Sequence, residues 1–94
     1  MSEIHLALLE DLQTLGRTPE EMARKLRGLG LKGVRKCYYG CPVAGFLRRL
    51  GYGVLEVGCL EIVIVGRIRV KTPDLVREFI RMFDENRWPD LVLA

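Results

Sequence analysis

A chain of 94 residues, 49% hydrophobic and 29% charged, has the make-up of one globular domain and excludes collagenous, low-complexity and disordered chains. That length buries roughly 60–65% of the surface an unfolded chain exposes, and residues 1–94 are expected to form a single domain. No apolar run approaches the ~18 residues of a spanning helix, the opening MSEIHLALLEDL is acidic, and three cysteines suit no secreted disulfide scaffold, so a cytoplasmic protein with no membrane partner is expected.

Ser2 is placed to cap a first helix running to about Leu15, with Ile4, Leu8, Leu12 and Leu15 on one stripe and Gly16 at its end. Thr18-Pro19-Glu20-Glu21 then reads as a capping box with proline at the first helical position. Met22, Ala23, Leu26 and Leu29 line the inner face of this second helix, while Glu20–Arg24 and Glu21–Lys25 are spaced for pairing outside. A loop of about ten residues follows. Cys41-Pro42 opens a short third helix carrying Val43, Phe46, Leu47 and Leu50.

Residues 54–71, VLEVGCLEIVIVGRIRVK, alternate as strands do. Facing Leu55 and Val57 with Leu60 and Ile62 predicts a two-residue turn at Gly58-Cys59, and sets Glu56 opposite Glu61. Facing Ile62 and Ile64 with Val70 and Ile68 predicts a second hairpin through Val65-Gly66-Arg67, with Glu61 opposite Lys71. Thr72-Pro73 caps a last helix over 73–86, with Leu75, Val76, Phe79, Ile80 and Phe83 inward and Arg81 between Glu78 and Glu85. The expectation is an α+β domain of order α-α-α-β-β-β-α, a three-stranded antiparallel meander packed against helices. Three helices followed by a hairpin is also the element order of a winged helix.

The net charge of +3 is unevenly spread. Residues 1–15 carry Glu3, Glu10 and Asp11 and no base, whereas residues 16–49 carry nine bases against Glu20 and Glu21. The basic field therefore belongs to the middle third.

Cys37, Cys41 and Cys59 with His5 could supply three sulfurs and a nitrogen to zinc. The C-x3-C spacing is loose, there is no second pair, and Cys59 falls at a hairpin tip, so the favoured reading is packing, with no metal and no cofactor. Cys41, at a helix start near Arg35 and Lys36, has the setting of a stabilised thiolate. A nucleophile also needs a base, and His5 lies near the apolar stripe of the first helix, so no enzyme is expected. Gly28, Gly30 and Gly33 match GxGxxG, but a helix precedes them where the dinucleotide motif requires a strand; they are read as a helix end.

Two binding readings remain. In the first, exposed apolar surface on the sheet (Val54, Val63, Val65), an unpaired strand edge and the tail from Trp88 to Leu93 serve a protein partner or a homodimer. The competing reading of the tail folds it back over the sheet. In the second, a winged-helix-like regulator uses the basic segment 17–49 and the hairpin tip 65–69 on DNA. The third helix, however, offers Pro-Val-Ala-Gly to the bases. Tyr38, Tyr39, Arg48, Arg49, Arg67 and Arg69 are the candidate contact residues, and protein is favoured over nucleic acid.

The segment CPVAGFLRRLG, residues 41–51, resembles small proteins of actinobacteria and their phages. These share a MARKLRGLGLKG-like helix and turn, a CPVAGFL-like segment, strands, and a final helix ending like FDENRWPDL. The resemblance spans roughly residues 18–91. It implies a compact family with the same element order and no activity to carry over, and a phage-type origin implies a small modulator of a host protein.

Overall fold

Three of the four helices stop in the same way, and the stops set the path of the chain. In the computed structural model, which describes residues 3–37, 39–65 and 68–93, helices α1 (Glu3–Gln13), α2 (Pro19–Gly28) and α3 (Pro42–Arg49) precede strands β1 (Val54–Val57), β2 (Glu61–Ile64) and β3 (Ile68–Lys71). Helix α4 (Asp74–Asp84) and a 3-10 turn (Pro89–Leu91) complete the order. Gly30, Gly51 and Asn86 take left-handed backbone after α2, α3 and α4, with φ of 72°, 102° and 64°. In each case the following amide reaches back five residues: Leu31 N–H to the Leu26 carbonyl, Tyr52 to Leu47, Arg87 to Met82. These are Schellman closures, and they use up orphan carbonyls at each helix end. The predicted helix-ending role of the GLG segment holds.

At the start of α2, Thr18 Oγ1 accepts from Glu21 N–H at 3.1 Å, and Glu21 Oε1 accepts from Arg17 N–H at 3.3 Å. The capping box therefore forms, with the glutamate reaching one residue beyond the cap. The predicted Ser2 cap of α1 lies outside the described residues.

The sheet is ordered β1-β2-β3 and antiparallel throughout. Between β2 and β3 the predicted register holds: Ile62 faces Val70, Ile64 faces Ile68, and Glu61 faces Lys71. Between β1 and β2 it is shifted. Val57 faces Ile62 and Glu56 faces Val63, and Gly58 N–H donates to Glu61 C=O at 3.0 Å, so the turn residues are Cys59 and Leu60. The later turn sets this shift, and an irregularity between Val54 and Glu56 changes the pairing again farther from the turn. Leu55 turns to solvent there, so Val54 and Val57 point inward three residues apart rather than two. Strict alternation has no provision for such a bulge.

The inward faces converge on one core. Val57, Ile62 and Val70 from the sheet meet Leu8, Met22, Leu26, Leu47, Phe79 and Phe83, all essentially inaccessible to water. Phe79 stacks on Trp88 at 4.9 Å between ring centroids. The tail thus folds back, but onto α4 and α2 rather than over the sheet: Leu91 is buried, Arg27 pairs with Asp90, and Val92 bridges to Gly33. The Cα radius of gyration of 12.0 Å matches the roughly 12 Å expected of one domain of this length. No helix among the described residues is long and apolar enough to cross a membrane.

Thr72 does not cap α4. Its hydroxyl donates to the Gly58 carbonyl at 2.6 Å, and Pro73 occupies the cap position. Arg81 does hold both Glu78 and Glu85, at 2.8 and 2.9 Å. The pairs Glu20–Arg24 and Glu21–Lys25 are not among the ion pairs of the described residues.

Candidate functional site

Two features lie side by side at one end of α3: a loop face and a thiol pocket. The loop, residues 29–41, combines local turns with bonds to distant parts of the chain. Gly33 N–H donates to Leu91 C=O at 2.8 Å and Gly33 C=O accepts from Leu93 N–H at 2.9 Å. Val34 N–H donates to Gly40 C=O at 2.7 Å, closing the loop on itself. A side chain at Gly33 would overlap the Gly40 carbonyl and meet the Pro42 ring at 2.7 Å, so only glycine permits this approach. Lys36 takes left-handed backbone, φ 58°, and its N–H donates to Asp84 Oδ1 at 2.8 Å. Asp84, at the end of α4, is thus a tether for the loop.

Two of the candidate contact arginines serve the same purpose. Arg48 donates from Nη1 to the Tyr39 carbonyl at 2.7 Å and from Nε to the Val54 carbonyl at 3.3 Å. Arg49 Nη1 donates to the Leu29 carbonyl at 2.8 Å, a group left over near the end of α2. Arg69 pairs with Glu61 across the sheet. Tyr39 is 67% exposed. Tyr38 and Arg67 lie outside the described residues.

What the loop leaves on the surface is apolar. Val34, Tyr39 and Leu93 are all exposed; Val34 and Leu93 flank the Gly33 bridge, and Tyr39 precedes the Gly40 carbonyl that Val34 binds. Around them stand the exposed bases Lys32, Arg35, Lys36 and Arg48. The sheet surface expected to be apolar is less so. Val54 points into the core and Val63 is buried between Glu56 and Arg69, leaving Val65 exposed.

Cys37, Cys41 and Cys59 line one pocket of about 290 Å³, although the hairpin-tip position of Cys59 had counted against such a meeting. Buried Val57 and Ile80 supply its apolar wall, and Lys36 and Asp84 its charges. The three are free thiols in three settings: Cys41 buried, Cys37 half-buried, Cys59 exposed. Packing therefore describes Cys41 and not the other two. The helix-start setting of Cys41 does not favour a thiolate. Burial pushes this thiol up to about 11, outweighing the opposing pull of the Ala44 and Val43 backbone N–H groups and of Arg48.

His5 is absent from this pocket. It lines a separate cleft between α1 and the β3–α4 junction, beside Leu9, Leu12 and Lys71. The set Cys37, Cys41, Cys59 and His5 is thus divided, and no group of three metal-ligating side chains among the described residues is arranged to hold an ion. Compared with protein-family models, curated proteins and solved structures, the chain matches none of them.

Proposed function

We propose that the chain is a small non-catalytic binding protein that modulates a protein partner through the loop face of residues 32–39. The observation that carries this reading is an exposed apolar centre, Val34, Tyr39 and Leu93, set among exposed bases on a loop tethered at Gly33, Val34, Lys36 and Gly40. Such a face can bind without first paying to order a loop, which favours a partner that brings apolar anchors and acidic residues. The likeness of residues 41–51 to small actinobacterial and phage proteins points the same way, toward a modulator of a host protein.

The DNA-binding reading has one observation in its favour: no acid occurs between Glu21 and Glu56, a stretch with eight bases. Against it, the first turn of α3 is buried through Pro42, Val43 and Ala44 and so cannot enter a groove. Arg48 and Arg49 are also committed to carbonyls.

Affinity capture from the native host, run in parallel with wild type and Tyr39→Asp, tests the first reading; one stoichiometric partner retained by wild type and lost by the variant is expected. Fluorescence polarisation with random duplex DNA across a salt series tests the second, for which affinity must fall steeply with salt. Light scattering over a concentration series reports whether the partner is a second copy.

A further inference from the structure

All three cysteines of the chain converge on one pocket from two segments that are far apart in sequence. We propose that this pocket is a modification site for two-electron oxidants of the peroxide class, at which Cys59 and Cys37 close a disulfide that clasps the 29–41 loop to the β1–β2 hairpin.

Access sorts the thiols. Cys59 is the first residue of the β1–β2 turn and is exposed, so it is the sulfur a peroxide meets first. Cys37 is half-buried on the same pocket and opens the turn in which Gly40 N–H donates to Cys37 C=O at 3.2 Å. It is placed as the resolving thiol. Cys41 is buried and holds its proton, which leaves it out of the exchange. Lys36 lines the pocket and brings a positive charge beside the thiols, while the Asp84 carboxylate is taken up by Lys36 N–H. An accessible thiol with a second thiol beside it is the arrangement that diverts a sulfenic acid to disulfide before further oxidation.

The chemistry balances in two steps. The Cys59 thiolate attacks one peroxide oxygen; the O–O bond breaks, a sulfenic acid forms, and hydroxide or alkoxide leaves and takes a proton to become water or alcohol. The Cys37 thiolate then attacks the Cys59 sulfur; the S–O bond breaks, the S–S bond forms, and hydroxide leaves and is protonated to water. In total two thiols and one hydroperoxide give one disulfide, one water and one water or alcohol, with two electrons passing from sulfur to the peroxide. Both linked segments are turns, whose backbones yield more readily than the strands and helix behind them.

The test is made on the reduced full chain. After hydrogen peroxide treatment the protein is denatured, alkylated without reduction, weighed intact and mapped by digestion. The expected result is a loss of two hydrogens, one alkylated thiol located at Cys41, a Cys37–Cys59 peptide pair, and full reversal by dithiothreitol. Cys41→Ala should keep the pair, and Cys59→Ser, a change at an exposed turn that spares the core, should abolish it. In the oxidised protein, amide exchange over residues 34–41 should slow severalfold. Accumulation of sulfinic or sulfonic acid at Cys59, covalent dimers, a pair containing Cys41, or three unchanged thiols would each overturn the proposal.

Discussion

The sheet of residues 54–71 and the loop of residues 29–41 are both non-helical, and they are ordered by opposite means. In the sheet each strand bonds to its neighbour in sequence, and an apolar inner face, Val57, Ile62 and Val70, presses on the core. In the loop, beside its internal Val34–Gly40 bond, the bonds come from other elements: from Arg48 and Arg49 on α3, Asp84 on α4, and Leu91 and Leu93 in the tail. Burial holds the first and polar tethers hold the second. A region held by tethers can keep its apolar side chains outside, which is why Val34 and Tyr39 stand on the surface of an ordered segment.

Changes in each region should separate the two modes. The largest effect is expected from Ile62→Ala, which removes a fully buried sheet residue and should cost about 2–5 kcal/mol in denaturant titration. Next is the alkaline limit. Cys41 holds its proton more tightly folded than unfolded, so its contribution is complete below the ordinary thiol value of 9.0 and is lost as pH rises through about 11. The loss is on the order of 2–3 kcal/mol, and Cys41→Ala should flatten the fall in melting temperature over that window. Tyr52, pushed up to about 12 by burial and by its hydrogen bond to Asp11, adds a loss of the same sign at higher pH.

Gly33→Ala forces a Cβ against the Pro42 ring and the Gly40 carbonyl, and should cost about 1–3 kcal/mol, as overpacking does. Asp84→Asn weakens the acceptor for Lys36 N–H. A cost of about 1–2 kcal/mol is expected, with faster amide exchange at residues 34–40 and unchanged protection in β2; faster exchange in both would erase the distinction between the regions. Smallest is Arg69→Ala, which removes an exposed pair on the outer sheet face and should shift stability by less than about 1 kcal/mol.

The same contrast explains what could be read from residues alone. Helix starts and stops were legible because Thr18, Pro42, Gly30 and Gly51 act within one turn of where they stand. The β2–β3 register was legible because its alternation is unbroken. The β1–β2 register was not, since the turn sits one residue later than Gly58-Cys59 and a bulge at Leu55 changes the phase again, and nothing in the composition marks either. The loop and the thiol pocket were beyond reach for a different reason. Their contacts join separate elements, such as Lys36 with Asp84 or Cys37 with Cys59 on one pocket, and no periodic pattern encodes such a pair. Arg48 and Arg49, read as contact residues, also donate to carbonyls inside the molecule, which their spacing does not foretell.

The parallel bridge between Gly33 and Val92 also constrains when this protein can finish folding as it is made. The helices and hairpins that depend on near neighbours can form while the ribosome is still at work. The bonds from Gly33 to Leu91 and Leu93 cannot form until position 93 has cleared the exit tunnel, so the surface carrying Val34 and Tyr39 takes shape after the helices and hairpins that precede it.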